Sequence, residues 1–283
     1  MRVTVIVCTY GGQEQLVERC VGSLERQTRL PDEVLLVVDT AEEQRIYSKL
    51  FSDRAHVPLE VVSSGKKGLA AARNRGVEAA TGDVIAFIDD DAEAEEHWLA
   101  ELEHTFEGPE VKVAGGPVKP LFNGKPRASK FNWVFDCTSI NPPPSRPIGC
   151  NMAFDRSVFE TVGGFNEDLG MVKGKVAVGE ETDLLLRLKK RYGRDAGIVL
   201  NSNASVYHRV PEERTRTRYM LKRAYAEGKA KAGMGREHEL EVERAYLRYC
   251  LKHLDLTTLM LLLAAGVGYI QGKLRHEDRT GVP

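Results

Sequence analysis

Four short apolar runs, separated by stretches with helical patterning, constrain this chain more than any other feature. Val84–Ile88 (VIAFI) has the length and the β-branched content of a strand buried on both faces, Glu33–Val38 (EVLLVV) reads as a second buried strand, Val3–Cys8 (VTVIVC) as a strand and Leu59–Val62 (LEVV) as a short strand. Between them lie Glu14–Arg26, with Leu16, Val17, Cys20, Val21 and Leu24 on one helical face, and a helix over about Glu42–Leu50. The Ala-rich Leu69–Ala80 follows, opened by Gly68 and closed by Gly82. The resulting βαβαβαβ order implies parallel strands joined by right-handed crossovers, with loops gathered at the strands' carboxyl ends.

Thr9 and Tyr10, Asp39, the Ser63–Lys67 loop and the triplet Asp89–Asp90–Asp91 all stand at those ends, where open α/β sheets bind ligands. Three adjacent carboxylates repel one another unless a cation or hydrogen-bond donors neutralise them. On an extended backbone Asp89 and Asp91 point one way and Asp90 the other, so the outer pair can share a hard divalent ion with phosphate oxygens. A Gly-x-Gly-x-x-Gly after the first strand and a Gly-Lys-Ser/Thr phosphate loop are both missing, which argues against a dinucleotide fold and a P-loop NTPase.

The remainder is less regular. Gly115-Gly-Pro117, Asn141-Pro-Pro-Pro144 and Arg146-Pro147 mark loops, and Pro147–Phe154 resumes an extended stretch. Gly179–Tyr192 reads as a helix with carboxylates in its first turn and Leu184, Leu185 and Leu188 on its buried face. Ile198–Leu200 and Val206–His208 read as short strands. A hydrophobic share of 42% suffices for a sizeable core, and a net charge of −1 gives no global reason to expect nucleic acid. Five cysteines without a Cys-x-x-Cys fit a reducing compartment. The first strand begins at once, leaving no room for a signal peptide, so the expected location is cytoplasmic.

Eight motifs in order resemble the family 2 glycosyltransferases over roughly Arg2 to Ala232. They are Val7-Cys-Thr-Tyr10, Val37-Val-Asp39, Ala72-Arg-Asn-Arg-Gly76, Asp89-Asp-Asp91, Gly149-Cys-Asn-Met-Ala153, Gly163-Gly-Phe-Asn166, Gly179-Glu-Glu-Thr-Asp183 and His208. The resemblance implies an α/β fold of the GT-A type: a Rossmann-like, mostly parallel sheet flanked by helices, with a C-terminal helical appendage. On this reading residues 1–212 form the transferase domain, with 1–98 the nucleotide-binding half and 99–212 the acceptor half, and 213–283 form the helical region. The implied reaction is inverting transfer from a nucleotide-diphosphate sugar, a UDP-sugar by preference, to a hydroxyl of a saccharide or lipid-linked glycan. Its setting would be polysaccharide or glycoprotein glycan assembly.

The resemblance also distributes roles. Thr9, Tyr10, Asp39, Arg73, Asp89 and Asp90 fall on the donor nucleotide. Asp91 and His208 fall on a divalent metal, Mn²⁺ or Mg²⁺. Glu181, with Asp183 nearby, falls on the catalytic base, and Asn151 and Glu180 on the acceptor side. The family more often has Glu-Asp where this chain has Glu180-Glu181, so the base would be one methylene longer. Where the family often has a second Asp after Asp39, Thr40 stands. Asn74 and Arg75 read as helix-surface residues, and helical spacing puts Glu180 and Asp183 near one face with Glu181 turned aside.

Arg209–Arg236 holds nine Lys and Arg against three Glu, which reads as a solvated helix, as cations closing over a diphosphate (Arg214, Arg216 or Arg218), or as a face for anionic lipid. The last apolar segment, Leu256–Ile270, would span about 22 Å as a helix, short of a bilayer's roughly 30 Å core. Packing on the domain or lying at an interface suits it better, with peripheral contact on the cytoplasmic face of a membrane. The rival activities are transfer to a polyprenyl phosphate and a non-catalytic nucleotide-sugar-binding scaffold.

Overall fold

The computed structural model describes residues 1–52, 56–138, 146–169, 178–193, 196–233 and 241–280. The Asn141–Pro144 loop expected from sequence lies outside them. The first half runs β1 (Val3–Cys8), α1 (Glu14–Glu25), β2 (Glu33–Val38), α2 (Ala41–Leu50), β3 (Leu59–Ser63), α3 (Leu69–Ala79) and β4 (Val84–Asp89). Each expected element is present there to within a residue at most ends. The reason is that β1, β2 and β4 are buried along nearly their whole length, so their apolar runs are unbroken.

Then follow β5 (Ala92–Ala94), α4 (Trp98–Phe106), β6 (Val113–Gly115), β7 (Val118–Phe122), a 3-10 turn Ser129–Phe135, β8 (Met152–Asp155), α5 (Ser157–Val162), α6 (Glu180–Tyr192), β9 (Ile198–Leu200) and β10 (Val206–Val210). The chain closes with α7 (Glu212–Thr215), α8 (Thr217–Gly233), α9 (Glu241–Lys252) and α10 (Leu256–Thr280). α10 continues ten residues past Ile270, where the apolar run stops.

The main sheet has the order β3-β2-β1-β4-β8-β6-β9. It is parallel from β3 to β4, and β8 runs antiparallel to both β4 and β6. The chain leaves β1 towards β2 and β3 and then returns to β4 on β1's other side. That reversal opens a crevice at the carboxyl ends of β1 and β4. Register places Cys8 beside Asp89 and beside Val37, which gathers Thr9, Asp39 and Asp90 at one end of the sheet.

A second sheet, β5-β10-β7, supplies the link between Asp91 and His208. β5 starts directly after the aspartates and pairs antiparallel with β10, aligning Ala92 with His208, while Arg209 N donates to the Asp91 carbonyl at 3.0 Å. Two residues 117 positions apart are thus neighbours because of three ladder positions. On α8, Met220 and Ala224 join the same buried cluster as Val5, Trp98 and Phe135, as does Leu261 of α10. All five cysteines are buried, and none is in a disulfide.

Candidate active site

Arg73 organises the cleft. It projects from α3 and is 2% exposed. Its Nη1 donates to Glu180 Oε1 at 2.8 Å, and its Nη2 donates to Asp89 Oδ1 at 3.5 Å and the Gly149 carbonyl at 3.3 Å. A Cβ on Gly149 would lie 2.9 Å from Arg73 Nη2, so glycine is what lets the guanidinium reach that carbonyl. The guanidinium also stands 5.5 Å from the ring centroid of Phe165, which packs with Phe87, Phe154 and Phe159. The sequence suggests Arg73 as a fork for the nucleotide, but here its fork is committed to two carboxylates and a carbonyl.

Glu180 and Glu181 open α6 behind Gly179, whose φ of 111° lies in the region that favours glycine. Arg73, Asp89, Asp136, Glu180, Glu181 and Arg223 line the cleft between α3, α6 and α8. Burial first, and then the charge of Glu181, push the Glu180 carboxyl up to about 8, against the lowering effect of Arg73. Its Oε2 is buried without a hydrogen-bond partner among the described residues. Glu181 is half-buried, and among the described residues its carboxylate has no hydrogen-bond or ion-pair partner.

A titration follows from Glu180. Its folded-state value lies above the ordinary 4.5, so the native state holds the extra proton. The associated stability is present below about pH 4.5 and is lost as pH rises through about 8. Relative to Glu180→Gln, the wild type is expected to lose stability on the order of 4 kcal/mol across that window. Urea midpoints of both proteins from pH 5 to pH 9, in the same buffer series, check it; parallel curves would refute it.

The aspartate triplet divides among three partners. Asp89 faces Arg73. Asp90 accepts from Thr9 Oγ1 at 2.5 Å, and burial together with Asp91 raises its carboxyl to about 7. Asp91 Oδ1 is 3.2 Å from His208 Nε2, and its Oδ2 is 3.6 Å from Arg214 Nη2. Burial opposes charge on both, but their mutual attraction lowers Asp91 and holds the His208 imidazole well above its usual value. His208 Nδ1 faces Cys137 Sγ at 3.6 Å, and ligating atoms of Asp89, Cys150 and His208 lie within 4.8 Å of one another. Burial holds the Cys150 thiol well above its usual value and so protonated, which leaves the carboxylates of Asp89 and Asp91 with the His208 imidazole, a donor set that fits a divalent ion such as Mn²⁺.

Four expectations need correction. Asn151, expected on the acceptor side, is fully buried: Oδ1 accepts from Trp98 Nε1 at 2.8 Å, and Nδ2 donates to the Pro117 and Ala204 carbonyls at 3.2 and 2.8 Å. It is a core crosslink. Asp183 pairs with Arg187 at 2.9 Å, and Arg187 holds the carbonyls of Val162, Gly163 and Gly164. Helix rotation therefore carries Asp183, rather than Glu181, away from the cleft. Glu180, expected towards the acceptor, is instead the buried partner of Arg73. Asn74 is also no simple surface residue, because it exchanges hydrogen bonds with Phe165 N and O at 2.7 and 2.9 Å.

Tyr10 is exposed just past the end of β1, and Asp39 is half-buried just past the end of β2, the strand paired with it. Sequence reasoning missed Asp136 and Arg223. Asp136 has a φ of 56°, the left-handed region that Asp tolerates better than most residues, and it bonds to Arg223 Nη2. Arg223 also meets Glu227 at 3.0 Å, an i,i+4 pair that reads as an ordinary surface contact until the helix is placed.

Residues 4–163 match the family model described as glycosyl transferase family 2. The chain is 32% identical over 246 residues to the glucosyl-dolichyl phosphate glucuronosyltransferase of Haloferax volcanii, covering 83% of this chain and 77% of that protein. It is 26% identical over 239 residues to the succinoglycan biosynthesis protein ExoM of Rhizobium meliloti, covering 81% and 73%. Among solved structures, the mannosyltransferase PcManGT from Pyrobaculum calidifontis in complex with GDP-Man and Mn²⁺ is similar with a TM-score of 0.62 and 20% identity, covering 100% of this chain and 76% of that one. Residues 1–349 of S. aureus TarS in complex with UDP are similar with a TM-score of 0.52 and 16% identity, covering 100% and 92%. With the family model matching more than half of its length, and with a mostly parallel sheet of the GT-A type, the chain belongs to glycosyl transferase family 2 and is a glycosyltransferase.

Proposed function

We propose that the protein is an inverting glycosyltransferase that moves a sugar from a UDP-sugar to a hydroxyl of a lipid-linked glycan, in glycan assembly at a membrane's cytoplasmic face. The observation that carries the mechanism is Glu181, a carboxylate in the cleft with no partner among the described residues, next to carboxylates that are all committed. The acceptor oxygen attacks the anomeric carbon while the bond from that carbon to the diphosphate breaks. Glu181 takes the hydroxyl proton, and the nucleoside diphosphate leaves. Asp91 and His208 would hold the divalent ion, which when bound neutralises charge on the departing diphosphate. Arg214, beside Asp91, adds a fixed positive charge on that side.

Uridine is favoured by Asp39, a carboxylate at the end of β2 able to accept from the imide N–H of the base. The Haloferax relative, named for a glucosyl-dolichyl phosphate acceptor, supports the lipid-linked class. Transfer to a bare polyprenyl phosphate is disfavoured because an ionised phosphate needs no base, and Glu181 is then without a task.

Thermal unfolding with UDP, GDP and dTDP, each with and without Mn²⁺, tests the donor site. A ligand at a hundredfold excess over its dissociation constant adds about 2.7 kcal/mol to stability. UDP with Mn²⁺ is expected to give the largest shift, and Asp91→Ala to remove the Mn²⁺-dependent part. A larger shift with GDP would overturn the uridine assignment, and no shift with any nucleotide would overturn the donor site.

A further inference from the structure

α10 leaves an apolar ridge uncovered. Its inner face, Thr258, Leu261, Ala265, Gly268 and Gly272, packs on α8. The outer face carries Leu256, Leu259, Leu263, Val267, Ile270 and Leu274 at helical spacing, with Leu263 and Ile270 each 60% exposed. Leu247, Leu251 and Leu254 extend the exposed apolar surface along α9 and the turn that follows it. Six large apolar side chains on one helix face exceed the scattered exposure normal for a protein surface.

Charge says what covers the ridge. Residues 213–283 hold 14 Lys and Arg against 9 Asp and Glu, while residues 1–212 hold 26 against 32. Arg216, Arg218, Lys222 and Lys229 on and before α8, and Arg248 and Lys252 on α9, are exposed. An apolar ridge among cations on an otherwise acidic protein matches a bilayer with anionic headgroups. A second copy of the chain would bring the same cations face to face.

By length and composition Leu256–Leu274 is apolar enough to cross a membrane. Its packing on α8 argues for a different placement. A Cβ at Gly228 would fall 1.9 Å from the Ala265 carbonyl oxygen, and one at Gly268 2.1 Å from that of Tyr225, so the two backbones are in close contact. Tyr225 Oη also donates to Gln271 Oε1 at 2.7 Å. Crossing the bilayer would tear α10 from α8 or pull Arg218, Lys222, Lys229 and Lys231 into hydrocarbon.

We propose that the outer ridge of α10, with the exposed leucines of α9, docks on an anionic lipid surface with α10 lying in the membrane plane. α8 then couples docking to the cleft, since one side holds α10 while Arg223 on the other lines the active site. The purpose assigned to docking rests on the lipid-linked acceptor reading, but its test does not.

The test is co-sedimentation of the full chain with phosphatidylcholine vesicles, with and without phosphatidylglycerol, at low and high salt. Wild type is expected to pellet with the anionic vesicles, less so at high salt, and Leu263→Glu/Ile270→Glu to partition about tenfold less or worse. Both positions are exposed, so the variant keeps its fold, checked by an unchanged melting temperature. Equal partition of wild type and variant would overturn the proposal. So would a wild-type dimer in sedimentation velocity that the variant dissociates, because the ridge would then belong to a second copy. Transfer to a soluble acceptor without vesicle binding would sink docking and leave the function standing; vesicle binding without transfer would do the reverse.

Discussion

Glutamine at position 181 is expected to leave the protein folded and able to bind nucleotide, while transfer falls by about two to four orders of magnitude, the usual contribution of a positioned general base. The substitution is isosteric. Because Glu181 has no partner among the described residues, the change strands no buried group. The stability change is therefore expected to stay within about 0.5 kcal/mol. Asp183→Asn is the matched control: its carboxylate serves Arg187 and the Val162–Gly164 turn, so it should transfer at close to the wild-type rate. Single-turnover transfer with saturating donor separates the chemical step from release. Retained transfer in Glu181→Gln together with loss in Asp183→Asn would show that the base has been misassigned. Glu181→Asp should fall between the two, since the shorter acid occurs at this place in the family but must here reach across a cleft framed by Glu180 and Arg73.

How much of this was legible in the sequence depends on where each residue's partners lie. β1, β2 and β4 are readable because a strand buried on both faces needs an unbroken apolar run, and such runs are local information. β5 and β6 are three residues each and have no such run; pairing with distant strands makes them strands. α4 carries Trp98, Leu99 and Leu102 at helical spacing, yet its acidic surroundings and short length disguised it. The pairing of Asp91 with His208 followed from motif order, whereas its physical cause, the β5–β10 ladder, is visible only in three dimensions. Asn151 was misread because an amide suits a sugar hydroxyl as well as it suits an indole N–H. Its partners Trp98, Pro117 and Ala204 come from three remote segments. Likewise the end of the apolar run at Ile270 says nothing of the Gly272 contact with Lys229 and Ala232 that keeps α10 on α8 beyond it.

Arg73→Met is expected to be the most destabilising single change in the site, costing about 3–5 kcal/mol, the range for removing one partner of a buried ion pair. Methionine fills much of the aliphatic space, so the loss is chiefly electrostatic. Asp89 and Glu180 would face each other across the cleft without the guanidinium, and the Gly149 carbonyl would lose its donor. Glu180 has a partial escape, since burial already favours its protonated form, which points to the lower part of that range. For a chain of this size, about 3 kcal/mol corresponds to a melting temperature lower by roughly 6–12 °C. Arg73→Lys should recover little, because a point charge cannot reproduce a planar fork that meets Glu180 through one nitrogen and Asp89 and Gly149 through the other. The double variant Arg73→Met/Glu180→Gln closes the cycle. Removing the partner relieves part of the penalty, so its loss should be smaller than the sum of the single losses by about 1–2 kcal/mol. Strict additivity would mean that the 2.8 Å contact contributes no coupling, and that Arg73 is held by Asp89, the Gly149 carbonyl and its Phe165 ring contact instead.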